Sequence, residues 1–115
     1  MLRTNLTHVL SEQEHSKLLQ ENENVMICCG RMGPMCIPVY EVMEEIENDY
    51  KNVKFADMEF DTPDAKVIRN LPNVRGFQGI PFVIYYKNGK VVKATSSIQS
   101  KDQVTAILDA NFGGK

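Results

Sequence analysis

Residues 25–39, VMICCGRMGPMCIPV, constrain the fold more than any other stretch of the chain. Val25 to Cys29 is apolar without a break, as in a strand buried on both faces, where a half-exposed strand would alternate with polar residues. Gly30-Arg31-Met32-Gly33-Pro34 then punctuates the chain, and Val39, Val42, Met43, Ile46 and Tyr50 follow at helical spacing. A buried strand turning sharply into a helix brings the turn to the positive end of the helix dipole, where a thiol ionises more easily. All three cysteines of the protein, Cys28, Cys29 and Cys36, fall in this stretch.

The remaining elements are legible around it. Residues 5–9 suggest a short first strand. Ser11 followed by Glu14 reads as a capping box opening a helix to about Glu21, with Leu18 and Leu19 inward, broken by Asn22-Glu23-Asn24. The helix after the central turn is expected over about 35–50, with Pro38 tolerated only in its first turn. Val53 to Phe60 reads as a strand, with Val53 and Phe55 packing inward. Thr62-Pro63 opens a helix to about Asn70, and Leu71-Pro72-Asn73 stops it. Phe82 to Tyr86 is the plainest strand, turned by Asn88-Gly89 into Lys90 to Ala94. Ser100 with Gln103 caps a last helix whose apolar face is Val104, Ile107, Leu108 and Phe112. The order β-α-β-α-β-α-β-β-α predicts an α/β sandwich, with a mixed sheet and helices on both faces. Ile27, Ile46, Phe55, Val83 and Leu108 are the expected core. One domain spans 1–112, and 113–115 are expected to be a flexible tail.

At 115 residues the chain is long enough for one core and too short for two. Thirteen basic against fifteen acidic residues, with no basic run, argue against a nucleic-acid partner. No run of about 18 apolar residues exists to span a membrane, and the N-terminus lacks an apolar signal core, so a cytoplasmic protein is expected. Three clustered cysteines do not form a disulfide framework.

The element order, with Gly79-Ile80-Pro81 before a strand and Lys87-Asn88-Gly89-Lys90 after it, resembles thioredoxin over roughly residues 5–112. The most specific likenesses are three: the strand-turn-helix at 25–50, the segment Arg75-Gly76-Phe77-Gln78-Gly79-Ile80-Pro81, and the Asn88-Gly89 hairpin with its capped C-terminal helix. The resemblance implies a thioredoxin-like three-layer sandwich, a cis Pro81 facing the active-site loop, and backbone beside Pro81 that pairs with an extended substrate chain. Met32, Gly33, Pro34, Met35, Gly79, Ile80 and Pro81 are then the substrate-binding residues, with Phe77 and Phe82 completing an apolar patch around Met32 and Met35.

The active-site motif departs from the family. The Cys-Gly-Pro-Cys that thioredoxins carry at the turn is replaced by Arg31-Met32-Gly33-Pro34-Met35-Cys36, and no Cys-x-x-Cys exists. Helix periodicity puts Cys36 on the family's second cysteine and Gly33 on its nucleophile, the preferred register. Direct matching of Gly33-Pro34 puts Met32 and Met35 on the two cysteines instead. The buried acid under many thioredoxin sites is also missing, since Met26 stands in that place.

Alternate strand residues face opposite sides, so only one of Cys28 and Cys29 looks toward the helix start. In the thioredoxin-like arrangement it is Cys29, which makes Cys29 and Cys36 the candidate catalytic pair and leaves Cys28 on the far face. Either thiol could be the attacking one. Cys36 should have a pKa below the free-cysteine value of about 8.5 unless burial outweighs the helix dipole. Against this stands the reading of all three as small buried hydrophobes. Met32 and Met35 beside the thiols weakly suggest a soft metal such as monovalent copper, and an adaptable apolar surface is the stronger reading. His8 and His15 are expected to face solvent. The chain is thus read as a monomeric thiol–disulfide oxidoreductase without cofactor or metal. Its partners would be disulfide-containing proteins and a reductase of the thioredoxin-reductase type. The alternative is a redox-inactive binding module of the same fold.

Overall fold

In the computed structural model, which describes residues 2–113, the doubly buried strand lies at the centre of a five-stranded mixed sheet. The strands are β1 (Thr7–Val9), β2 (Asn24–Gly30), β3 (Lys54–Glu59), β4 (Phe82–Lys87) and β5 (Lys90–Ser96), in the order β1-β3-β2-β4-β5. β2 runs parallel to β3 and antiparallel to β4, and every one of its seven residues is buried. The helices α1 (Glu12–Glu21) and α3 (Lys66–Arg69) cover one face, and α2 (Ile37–Ile46) and α4 (Lys101–Phe112) the other. Met26 and Cys28 point into the α2–α4 layer with Phe55, Val83 and Leu108, whereas Val25, Ile27 and Cys29 point into the α1–α3 layer with Ile68 and Ile84. This parity, dictated by the pleat, decides everything about the thiols.

Ile27, Ile46, Phe55, Val83 and Leu108 are all buried, as expected. Ser11 caps α1 through its side chain, but Glu14 Oε1 accepts from the Leu10 N–H, one residue before the cap. The box around α4 closes in both directions: the Ser100 hydroxyl accepts from the Gln103 N–H, and Gln103 Oε1 accepts from the Ser100 N–H. Asn88 and Gly89 turn the hairpin with φ of 53° and 79°, the left-handed region that an Asn-Gly pair adopts most readily. Past that turn β5 runs to Ser96, with a bulge at Tyr85/Tyr86.

Several expectations are corrected. The helix expected over 35–50 holds α geometry only over Ile37–Ile46, and Glu47–Asp49 tighten into a 3-10 turn. The helix expected over 62–70 breaks into a 3-10 turn, Pro63–Ala65, and the single α turn of α3. The stop at Leu71-Pro72-Asn73 is itself part of a 3-10 turn, Pro72–Val74. Neither histidine faces solvent freely. His15 is buried under α1, its Nε2 3.0 Å from the Tyr86 hydroxyl, because it lies on the inward face of that helix. Burial pushes its pKa down. His8 Nδ1 lies 2.7 Å from a carboxylate oxygen of buried Asp57. Gly113 ends α4 in a left-handed conformation, and residues 114 and 115 of the expected flexible tail lie outside the described residues.

Candidate functional site

Where β2 ends and α2 begins, four residues converge on one point. A side chain on Gly30 would begin 2.7 Å from Cys36 Sγ, 2.8 Å from the Tyr40 hydroxyl and 3.1 Å from Pro81 Cβ. Glycine is required there because the space belongs to these neighbours. Gly30 faces the same side as Cys28 by the pleat, so the end of β2 forms the floor beneath the helix start. The Gly33 carbonyl accepts from the Cys36 and Ile37 N–H groups at 3.1 and 2.9 Å, which closes the turn and makes Cys36 the residue preceding α2. Pro38 sits in the first turn, where its missing N–H has no partner to lose. The Arg31 N–H points at Cys36 Sγ from 3.4 Å. The Arg31 guanidinium is engaged elsewhere, in a two-pronged pair with Asp61 at 2.7 and 2.8 Å and over the Phe60 ring.

The Ile80-Pro81 peptide is cis, as the resemblance implies, and Pro81 forms one wall of the thiol site. Its carbonyl accepts from the Ser97 N–H at 3.1 Å, which ties the loop to the end of β5. Met32 and Met35 are the exposed apolar side chains of the turn, at 36% and 44% exposure, and Met32 Sδ lies 3.4 Å from the Arg3 N–H. A Cβ on Gly33 would meet nothing within 4 Å, so the position is open to solvent. Phe82 is not part of this patch. It is buried in the α1–α3 layer against Phe60 and Phe77, because its parity on β4 sends it to the opposite face.

All three cysteines are free and buried. The expected facing is reversed: Cys28 lies in the α2–α4 layer with Cys36 and Tyr40, and Cys29 lies in the α1–α3 layer. Cys29 is paired with Met58 on β3 and Phe82 on β4, both of which point away from α2. Burial raises the pKa of every thiol. Cys29 is pushed up to about 12, with Arg69 pulling the other way. Cys28 is raised well above the ordinary range, through burial first and then the nearby Cys36, Cys29 and Asp57. Cys36 is also raised, by burial, against the Arg31 N–H and guanidinium that lower it. Cys36 thus falls on the side of that expectation in which burial wins.

Met26 stands in β2 as read, and a buried acid lies elsewhere, beside Cys28. It comes from the neighbouring strand: Asp57 pairs in register with Cys28, is 1% exposed, and accepts from the Thr4 hydroxyl while facing His8. Burial raises its pKa, and its contacts with Thr4 and His8 hold it down. Its signal was present in the sequence, since Phe55 and Asp57 share a parity in the strand. Tyr40 was legible too, four residues after Cys36 and hence on the same helix face. Among the described residues, no group of three or more His, Cys, Asp or Glu side chains converges as metal ligands would.

The strand order and the helices on both faces of the sheet are those of the thioredoxin fold. Among solved structures, thioredoxin f2 of Chlamydomonas reinhardtii superposes with a TM-score of 0.79 at 13% identity, over 96% of this chain and all 100% of that one. Mitochondrial thioredoxin 3 of Saccharomyces cerevisiae, in its oxidised form, gives 0.73 at 18% identity, over 90% and 94%. Oxidised thioredoxin of Plasmodium falciparum gives 0.70 at 16%, over 92% and 97%. At these identities the likeness establishes the thioredoxin fold. No protein-family model and no curated protein sequence matches the chain. No helix among the described residues is long and apolar enough to cross a membrane.

Proposed function

We propose that the chain is a thiol–disulfide oxidoreductase acting on disulfides of partner proteins, with Cys36 as the site thiol and Cys28, in place of Cys29, as its partner. The observation that carries this reading is the meeting of Cys36 Sγ with Gly30 and cis Pro81, on the sheet face that also bears Cys28. In the reaction the Cys36 thiolate attacks a sulfur of the target disulfide, a mixed disulfide forms, and one target thiolate leaves and takes up a proton. The Cys28 thiolate then attacks Cys36 Sγ and releases the second target thiol. The target gains two electrons and two protons, and the chain is left with a Cys28–Cys36 disulfide, which a reductase or an external dithiol resets. Met32, Gly33, Pro34 and Met35, with Gly79, Ile80 and Pro81, would hold the target's extended backbone. A reducing compartment such as the cytoplasm keeps the pair as dithiol between turnovers.

The second reading, a binding module without redox chemistry, is favoured by the burial of all three thiols under a turn that exposes Met32 and Met35. Oxidation followed by thiol counting in denaturant separates the two. The first reading expects two thiols consumed and Cys29 left free, with disulfide reductase activity abolished by Cys28→Ser or Cys36→Ser. Three free thiols after oxidation would leave the binding module. Consumption of Cys29 with Cys36 would overturn the choice of partner.

A further inference from the structure

The Tyr40 hydroxyl is buried and, among the described residues, has no hydrogen-bond partner. Buried phenols usually find one, and an orphaned hydroxyl in a native site asks what it is reserved for. Its surroundings narrow the answer. Tyr40 Oη and Cys36 Sγ lie 2.8 and 2.7 Å from the same point, the place where a side chain on Gly30 would begin. They can be no further apart than those two distances laid end to end. With no side chain on Gly30, the point both atoms approach is left unfilled by that residue. The arrangement is set by sequence, since Tyr40 follows Cys36 by four residues on one helix face.

We propose that Tyr40 is the hydrogen-bond donor to the Cys36 thiolate, supplying with the Arg31 N–H the two donors that hold the reacting sulfur when it is charged. The inference rests on Cys36 being the site thiol. A neutral thiol is a poor acceptor, and a thiolate a strong one, so the phenol lacks a good partner until the sulfur ionises. The thiol proton leaves to solvent and the phenol keeps its own. Burial, followed by the nearby Cys28, Cys36, Asp57 and Cys29, raises the Tyr40 pKa, which keeps that proton in place as a donor.

Other titratable groups lie around the site. Cys28 and Cys29 face it or lie close by on β2, and Asp57, held by Thr4 and His8, lies on β3. Arg31 approaches from the turn. Glu44 of α2 acts through Asp57, and Tyr85 of β4 brings a second orphaned hydroxyl near Cys28. The test must therefore isolate one sulfur.

In a Cys28→Ser/Cys29→Ser background, the ultraviolet absorbance of the Cys36 thiolate is followed against pH, with and without Tyr40→Phe. The expected result is an upward shift of about one pH unit in the Phe variant, tenfold less thiolate at a given pH below the midpoint. An unmoved or downward-shifted curve, or a Cys36 that never ionises before the protein unfolds, overturns the proposal. Should Tyr40→Phe not fold, 3-fluorotyrosine at position 40, a stronger donor of nearly the same shape, is expected to shift the curve down, and an unmoved curve again refutes it. Thiol counting after oxidation is a separate readout. A Tyr40-dependent titration without disulfide formation would retain this inference and sink the oxidoreductase.

Discussion

Gly30→Ala tests the packing on which the site is built. Gly30 is not among the glycines with positive φ, so alanine can adopt its backbone without strain. A strain-free Gly→Ala exchange ordinarily stabilises by about 0.4–1 kcal/mol, through a less flexible unfolded chain. Here the added methyl would lie 2.7 Å from Cys36 Sγ, 2.8 Å from the Tyr40 hydroxyl and 3.1 Å from Pro81 Cβ. None of the three is the loose end of a long side chain: a cysteine sulfur is one bond from Cβ, and the phenol and the pyrrolidine are rigid. Overpacking of this kind costs about 1–3 kcal/mol. The balance is a net loss of roughly 1–2 kcal/mol, read as a lower urea midpoint at unchanged slope. Gly33→Ala is the control, since nothing lies within 4 Å of its added methyl, and its midpoint should stay level or rise. A Gly30→Ala protein as stable as its parent would refute the convergence of Cys36, Tyr40 and Pro81 on that point.

Gly33→Cys should restore a Cys-x-x-Cys spacing with Cys36 at an open position of the helix start. It is expected to form a disulfide with Cys36 on mild oxidation and to raise the rate of protein-disulfide reduction well above that of the parent. Failure to pair with Cys36, read by peptide mapping, would favour the register that puts Met32 and Met35 on the two cysteines. The buried His15 gives a pH dependence of defined sign. Its pKa is lowered from 6.5 by burial, so below about that pH the unfolded chain binds a proton that the folded chain refuses. Its contribution to stability is present above 6.5 and lost as pH falls through the folded pKa. His15→Gln should flatten the stability profile between about pH 5 and 7. A slope identical to the parent's would show that His15 is not the group responsible.

The sequence by itself determined the architecture. An unbroken apolar run at Val25 to Cys29, a helix spacing after it, an Asn-Gly hairpin and a Ser/Gln cap each act within a few residues, where backbone geometry and burial leave little choice. The same local rules located the turn between β2 and α2, and the resemblance, not the local rules, implied the cis Pro81. They could not say which of Cys28 and Cys29 faces α2. In a strand buried on both sides, every residue is apolar, so the pattern carries no parity; only the layers packed on either face assign one. Asp57 was legible as inward-facing by its parity with Phe55, but its place beside Cys28 depends on the register between β2 and β3, strands far apart in the chain. His15 looked solvent-facing because its partner, the Tyr86 hydroxyl, arrives from a distant strand. The raised pKa of Cys36 was likewise a tertiary outcome. Arg31, five residues away in the chain, lowers it, but the desolvation that wins comes from the sheet and loops folded around it.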